Sequence, residues 1–146
     1  MNKNYILLIE DNEDDIELTK LAFNKNKFAN QIKVITDGEE ALNFVLRKDS
    51  TEMDEMGKPT LILLDINLPK VNGLEILEHI KKDPYVKTIP VVMLTTSKQD
   101  EDVVQSYELG ANSYVRKPVN FQEFVDVVNN LGIYWLAVNQ PINLGD

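Results

Sequence analysis

Three short apolar runs end in residues whose oxygens can bind a metal ion or attack phosphorus. Tyr5-Ile6-Leu7-Leu8-Ile9 leads into Glu10-Asp11, Leu61-Ile62-Leu63-Leu64 into Asp65, and Val91-Val92-Met93-Leu94 into Thr95. A weaker run, Ser113-Tyr114-Val115, leads into Lys117. Brought into one crevice, Glu10, Asp11 and Asp65 would repel one another. A pair of unit charges about 4 Å apart costs about 4 kcal/mol at an effective dielectric near 20. Lys117 offsets only part of this, and a single Mg²⁺ (or Mn²⁺) would cancel the rest. Carboxylates with no soft ligand suit such a hard, oxygen-seeking dication. A carboxylate beside a dication, a lysine and a hydroxyl is equipped for phosphoryl transfer. The aspartate is the nucleophile, while the cation and the lysine neutralise the moving phosphoryl oxygens.

Taken singly, each residue has a plainer explanation. Glu10 and Asp11 could simply favour the positive end of a following helix. Asp65 could be a turn aspartate, Thr95 a strand-end threonine, Lys117 a solvated lysine and Tyr114 a half-buried strand residue. The case for chemistry rests on all of them falling at matching strand ends.

The elements that place them there are legible in the hydrophobic pattern. The continuous apolar runs read as strands buried on both faces, and Ile32-Lys33-Val34-Ile35 and Ser113-Tyr114-Val115 as edge or half-exposed strands. Between them lie helical spacings: Leu18, Leu21 and Ala22; Ala41, Leu42 and Val45; Leu74, Leu77 and Ile80; Val103, Val104 and Tyr107; and Phe121, Phe124, Val125 and Val128. Asp37/Glu40, Asn72/Glu75, Ser97/Asp100 and Asn120/Glu123 are capping pairs at helix starts. Pro90 stands directly ahead of a strand, where proline is tolerated. This is a βα unit repeated five times, hence an α/β fold: a doubly wound parallel sheet with five helices. The common strand order is 2-1-3-4-5, with ligands at the carboxyl ends. In that order the strands ending in Glu10-Asp11, Asp65, Thr95 and Lys117 are neighbours. The strand ending near Thr36-Asp37 is the edge and the odd one out.

With 146 residues and 43% apolar content the chain reads as one domain, with a core over residues 5–131 and a tail over 132–146. No cysteine is present, which excludes disulfides, thiolate metal sites and a cysteine nucleophile. The net charge of −9 disfavours nucleic acid and anionic lipid as partners. No apolar run approaches a membrane span, and the N-terminus lacks a leader pattern, so a cytoplasmic protein is expected.

The chain resembles the receiver domain of two-component response regulators from about Tyr5 to Leu131. The resemblance is carried by Ile6-Leu7-Leu8-Ile9-Glu10-Asp11-Asn12, Leu63-Leu64-Asp65-Ile66-Asn67-Leu68-Pro69 with Asn72-Gly73, Leu94-Thr95-Thr96, and Gly110 to Pro118. It implies a flavodoxin-like fold in which Asp65 accepts phosphate from a sensor histidine kinase. It implies that Asp11 binds Mg²⁺ directly, Glu10 through water and Asn67 through its backbone carbonyl. Thr95 would bond the phosphoryl group, Lys117 would pair with it, and Tyr114 would switch rotamer. The Lys117-Pro118 bond would be cis. The insertion Asp49 to Lys58 and the tail Gly132 to Val138 are similar to the single-domain regulators that partner bacterial phytochromes. The resemblance therefore implies a phosphorylation-operated binding module and not an enzyme.

Two other functions fit part of the pattern. One is an aspartate-nucleophile phosphatase, disfavoured because Asn67 replaces the second acid and the chain has no length for a cap domain. The other is an adaptor that no longer takes phosphate, disfavoured by the intact Asp65, Thr95 and Lys117. His79 reads as a surface residue, and Met53 and Met56 as loop surface. Tyr134, Trp135, Leu136 and Val138 give the tail more apolar surface than a terminus needs. A homodimer through the fourth helix, fifth strand, fifth helix and tail is expected to cover it.

Overall fold

The computed structural model describes residues 5–26, 31–48, 52–96, 99–118 and 120–140. Five parallel strands, β1 (Tyr5–Ile9), β2 (Gln31–Ile35), β3 (Leu61–Leu64), β4 (Val91–Thr95) and β5 (Ser113–Arg116), pair in the order β2-β1-β3-β4-β5. The register sets Ile9 beside Ile35 and Leu64, Leu64 beside Met93, and Thr95 beside Arg116. The carboxyl ends of the strands are therefore level. β1, β3 and β4 are buried along their whole length, as strands covered on both faces must be. The edge strands β2 and β5 are partly exposed, as their weaker apolar patterns predict.

Side chains alternate between two cores. Leu7, Ile9, Ile62, Leu64, Val91 and Met93 face α2 (Gly38–Val45), α3 (Glu52–Met56) and α4 (Gly73–Lys82). Ile6, Leu8, Leu61, Leu63, Val92 and Leu94 face α1 (Glu13–Asn26) and α6 (Phe121–Gly132). The expected doubly wound receiver-type architecture is thus present. α5 (Asp100–Glu108) lies against β5, and α6 continues as a π-helical segment, Ile133–Val138.

The helix count differs from the five expected, because among the described residues there are six α-helices. The additional one, α3, comes from the insertion. Met53 is fully buried in the α2–α4 core, where a loop-surface residue was expected, and Met56 packs beside it. Lys33 of β2 bonds Glu52 at 2.7 Å. Gly57, at φ 84°, closes the helix through its N–H to the Met53 carbonyl at 2.7 Å. The Tyr5 hydroxyl donates to the Gly57 carbonyl at 2.6 Å.

The caps Asp37, Asn72 and Asn120 accept the backbone N–H groups expected of them. Ser97 lies outside the described residues, and the residue that precedes α5 is Gln99. Leu21, Val104, Tyr107 and Phe121, assigned to buried faces by spacing, are each more than half exposed. α1 buries a narrower stripe of Ile16, Thr19, Ala22 and Phe23, and α5 sits at the sheet's edge with only Ser106 fully buried. The Lys117–Pro118 bond is trans, not cis as the resemblance implied; trans is the intrinsically favoured isomer of an X–Pro bond. His79 is exposed, as expected.

Candidate functional site

The strand ends bring Glu10, Asp65, Thr95 and Lys117 into one crevice. Backbone hydrogen bonds fix the floor: Asp65 N–H to the Ile9 carbonyl at 3.1 Å, and Lys117 N–H to the Thr95 carbonyl at 2.8 Å. Glu10, Asp65 and Thr95 are buried, and the Lys117 side chain is only 3% exposed. Asp11 is exposed at the mouth. Carboxylate oxygens of Glu10, Asp11 and Asp65 lie within 4.8 Å of one another, close enough to share one ion.

Lys117 is the hub. Its ammonium donates to Glu10 Oε1, to Asp15 Oδ2 at 2.8 Å and to Asp65 Oδ2 at 3.3 Å. Burial alone would pull its pKa down, but the three acids outweigh burial and hold it at about 12. At Glu10 burial wins instead. Burial raises its carboxyl to about 7 against the pull of Lys117 and of the Asn12 N–H, which donates to Oε2 at 3.1 Å. A protein that lifts one carboxylate so far while crowding two more beside it suits a site completed by a dication. The donor set is all oxygen, which fits Mg²⁺ or Mn²⁺.

Asp65 sits at the tip of β3 and accepts the Ile66 N–H on Oδ1 at 2.7 Å. That bond orients the carboxylate and leaves Oδ2 towards Lys117. The loop after it carries exposed Asn67 and returns to α4 at Gly73. A Cβ on Gly73 would stand 2.0 Å from the Asp65 carbonyl oxygen, so only glycine lets the helix approach so closely. Tyr114 is half-buried on β5, and its N–H donates to the Tyr107 hydroxyl at 3.2 Å. Beside it Asp100, Val103, Val104 and Arg116 line a groove of about 600 Å³.

Two residues of this site escape a reading of the sequence. Asn12 caps α1 by accepting the Asp15 N–H at 2.9 Å. Asp15 itself reads first as one of three acids favouring a helix N-terminus. Its position one turn into α1 was the available signal, since a first-turn side chain can reach back over the preceding strand end.

A level row of strand ends carrying clustered carboxylates, a buried lysine and a buried threonine defines a class: a doubly wound α/β protein with an acidic, metal-compatible crevice built around one aspartate. Residues 6–129 match the family described as response regulator receiver domain, and the chain belongs to that family. It is 38% identical over 131 residues to response regulator Rcp1 of Synechocystis sp., covering 90% of this chain and 88% of that one. The crystal structure of the phosphorylated cyanobacterial phytochrome response regulator RcpA is similar with a TM-score of 0.89 at 36% identity, covering 98% of this chain and 100% of that one. The Mn²⁺-bound form of Rcp1 gives a TM-score of 0.88 at 36% identity, over 96% of this chain and 99% of that one. Among the described residues no helix is long and apolar enough to cross a membrane.

Proposed function

We propose that this protein is a phosphorylation-operated signalling module that takes a phosphoryl group on Asp65 from a sensor histidine kinase, and that the kinase is of bacterial phytochrome type. The observation that carries the reading is the three-acid cage of Lys117 beside Asp65: Glu10, Asp65 and Lys117 follow three different strands, and Asp15 reaches in from the first turn of α1. Asp65 Oδ2 attacks phosphorus, the oxygen–phosphorus bond forms, and the bond from phosphorus to the donor histidine nitrogen breaks with its electron pair returning to the imidazole. Lys117, already facing Oδ2, follows the new oxygens. Glu10, Asp11, Asp65 and the Asn67 carbonyl would hold Mg²⁺ or Mn²⁺, which supplies charge neutralisation for the phosphoryl group. The Mn²⁺-bound and phosphorylated relatives support both halves of this reading.

Thr95 and Tyr114 are the proposed switch pair. The acyl phosphate adds about −1.5 to −2 of charge and new acceptor oxygens. Thr95 bonds one of these, and Tyr114 turns inward. The face of α5, β5 and α6 then changes towards partners, with coupling of about 1–3 kcal/mol. The module works as a cytoplasmic phosphate acceptor and not as a turnover enzyme. It is a single receiver unit with residues 132–146 as its tail. Asp65→Asn tests the assignment. It should keep the fold and incorporate no phosphate; incorporation at an undiminished rate would refute it.

The surface also favours a homodimer. Trp135 and Leu136 fold back onto the α1–α6 core, while Ile133, Tyr134 and Val138 remain exposed, with Val104 and Tyr107 exposed on α5. A second copy presenting the same patch would cover them. Removing the tail would also strip Trp135 and Leu136 from the core, so surface substitution is the cleaner test. Tyr134→Ser with Val138→Ser should shift a dimer to monomer in sedimentation without unfolding it. A monomer at high concentration in wild type, with and without phosphate, sinks the idea.

A further inference from the structure

We infer that Asp15 is a positioning residue for Lys117, the anchor that keeps the ammonium aimed at Asp65 when a metal ion engages Glu10. The inference rests on the functional reading above and extends it to a residue outside the expected set. The ammonium has three N–H donors, and all three are used: on Glu10, on Asp15 at 2.8 Å and on Asp65 at 3.3 Å. The two on the β1–α1 side include the shorter contacts. The longest points to Asp65, so it is the donor most easily redirected to a phosphoryl oxygen carried there.

The three acids are not equivalent. Glu10 and Asp65 converge with Asp11 into a cluster that can bind one cation, and Asp15 stands outside that cluster. A dication that draws on Glu10 and Asp65 weakens two of the lysine's three partners. Asp15 is then its one dedicated carboxylate. Its placement is over-determined: the Asp15 N–H donates to Asn12 Oδ1 at 2.9 Å, and its carbonyl accepts the hydroxyl of buried Thr19 at 2.7 Å. The side chain is 21% exposed, at the rim of the crevice, whereas Glu10 is 3% exposed at its floor. Asp15 thus holds Lys117 from the mouth side and Glu10 holds it from below.

The test compares wild type, Asp15→Ala and Asp15→Asn for phosphate incorporation from acetyl phosphate at saturating Mg²⁺. A Mg²⁺ titration and the proton-exchange rate of the Lys117 ammonium by NMR accompany it. Asp15→Ala removes one charge-assisted hydrogen bond to the ammonium, and at this partly exposed position we expect about tenfold slower incorporation. Asp15→Asn, which keeps an acceptor oxygen, should recover part of the rate. The Mg²⁺ midpoint should stay within about twofold, because Asp15 is no ligand, while the ammonium protons exchange faster. Incorporation as fast as or faster than wild type, or a Mg²⁺ shift as large as that of Asp11→Ala, would overturn the inference. Wild type that takes no phosphate on Asp65 would overturn the functional reading and this inference with it. Normal wild-type incorporation with no effect of Asp15→Ala overturns the inference alone.

Discussion

Gly73→Ala places one methyl group against the backbone that carries Asp65. The new Cβ would lie 2.0 Å from the Asp65 carbonyl oxygen, 2.8 Å from Ile66 Cα and 2.9 Å from the Asp65 carbonyl carbon. Ordinary contact begins near 3.4 Å, so helix α4 or the Asp65–Ile66 peptide must move by about 1.4 Å. No side chain can turn aside to absorb this, because all three neighbours are backbone. Forced overpacking of this kind costs about 1–3 kcal/mol. The gain in helix propensity from glycine to alanine, at most about 1 kcal/mol, offsets only part of it.

The displacement falls where it matters for chemistry. Asp65 Oδ2 is 3.3 Å from Lys117 Nζ, and a shift of about 1 Å in the main chain breaks that contact. Misplacement by 1 Å can cost about 100-fold in rate. Urea unfolding and phosphate incorporation from acetyl phosphate would be measured together on Gly73→Ala. Gly57→Ala is the control, since a Cβ there meets nothing within 4 Å and only the φ of 84° is strained. We expect Gly57→Ala to lose about 1–2 kcal/mol of stability with normal incorporation. Gly73→Ala should lose both stability and incorporation. Gly73→Ala with wild-type stability and rate would show that the loop yields freely and that the tight approach does not position Asp65.

Asp83 should give the fold an acid-side dependence. Burial alone would raise its carboxyl, but the Tyr85 and Val86 N–H groups and Arg47 outweigh it and hold it below the usual range. A depressed folded pKa stabilises above the unfolded value of about 3.9 and is lost as pH falls through the folded one. Asp83→Asn should therefore cost about 1 kcal/mol at neutral pH and nothing at the acid end, by urea melts across pH; a constant difference at all pH values would contradict this. Asp11→Ala should raise the Mg²⁺ midpoint for phosphorylation more than Glu10→Ala does, by titration, and an unchanged midpoint in Asp11→Ala would remove it as a direct ligand. Thr95→Ala should accept phosphate yet lose the partner or sizing response seen in wild type, and an unaltered response would dismiss the switch.

The sheet was legible because it is written in three uninterrupted apolar runs, whose ends also carry the chemistry. Glu10, Asp65, Thr95 and Lys117 could be placed together because level strand ends follow from parallel pairing and right-handed crossovers. What stayed hidden was what spacing cannot distinguish. Leu21, Val104, Tyr107 and Phe121 satisfy a helical stripe, but how wide a stripe is buried depends on the neighbour's breadth, which only the packed sheet sets. Met53 lies among acids and lysines, and its anchoring role follows from the depth of the gap it fills. Asp15 looked like any first-turn acid, since a helix N-terminus and a lysine partner demand the same residue type.

The edge strand β2 lies outside the crevice, as its sequence suggests, yet it helps to position the Asp65 loop. β2 carries no chemistry-bearing end, so it stood apart from the crevice in the sequence. In the structure the turn after it is latched to the loop that follows Asp65. The Gly38 N–H donates to the Pro69 carbonyl at 3.0 Å, and a Cβ on Gly38 would stand 2.0 Å from the Val71 carbonyl oxygen. Lys70, at φ 71°, pairs with Asp37 at 3.0 Å, and the same Asp37 caps α2. Lys70 and Asp37 are solvated, so the ion pair adds little energy by itself. The glycine contact is different, because it fixes backbone against backbone and cannot be screened. Two glycines, Gly38 and Gly73, thus clamp the Asp65 loop from opposite ends. The strand whose end places no side chain in the crevice contributes the fixed wall against which the Asp65 loop is set.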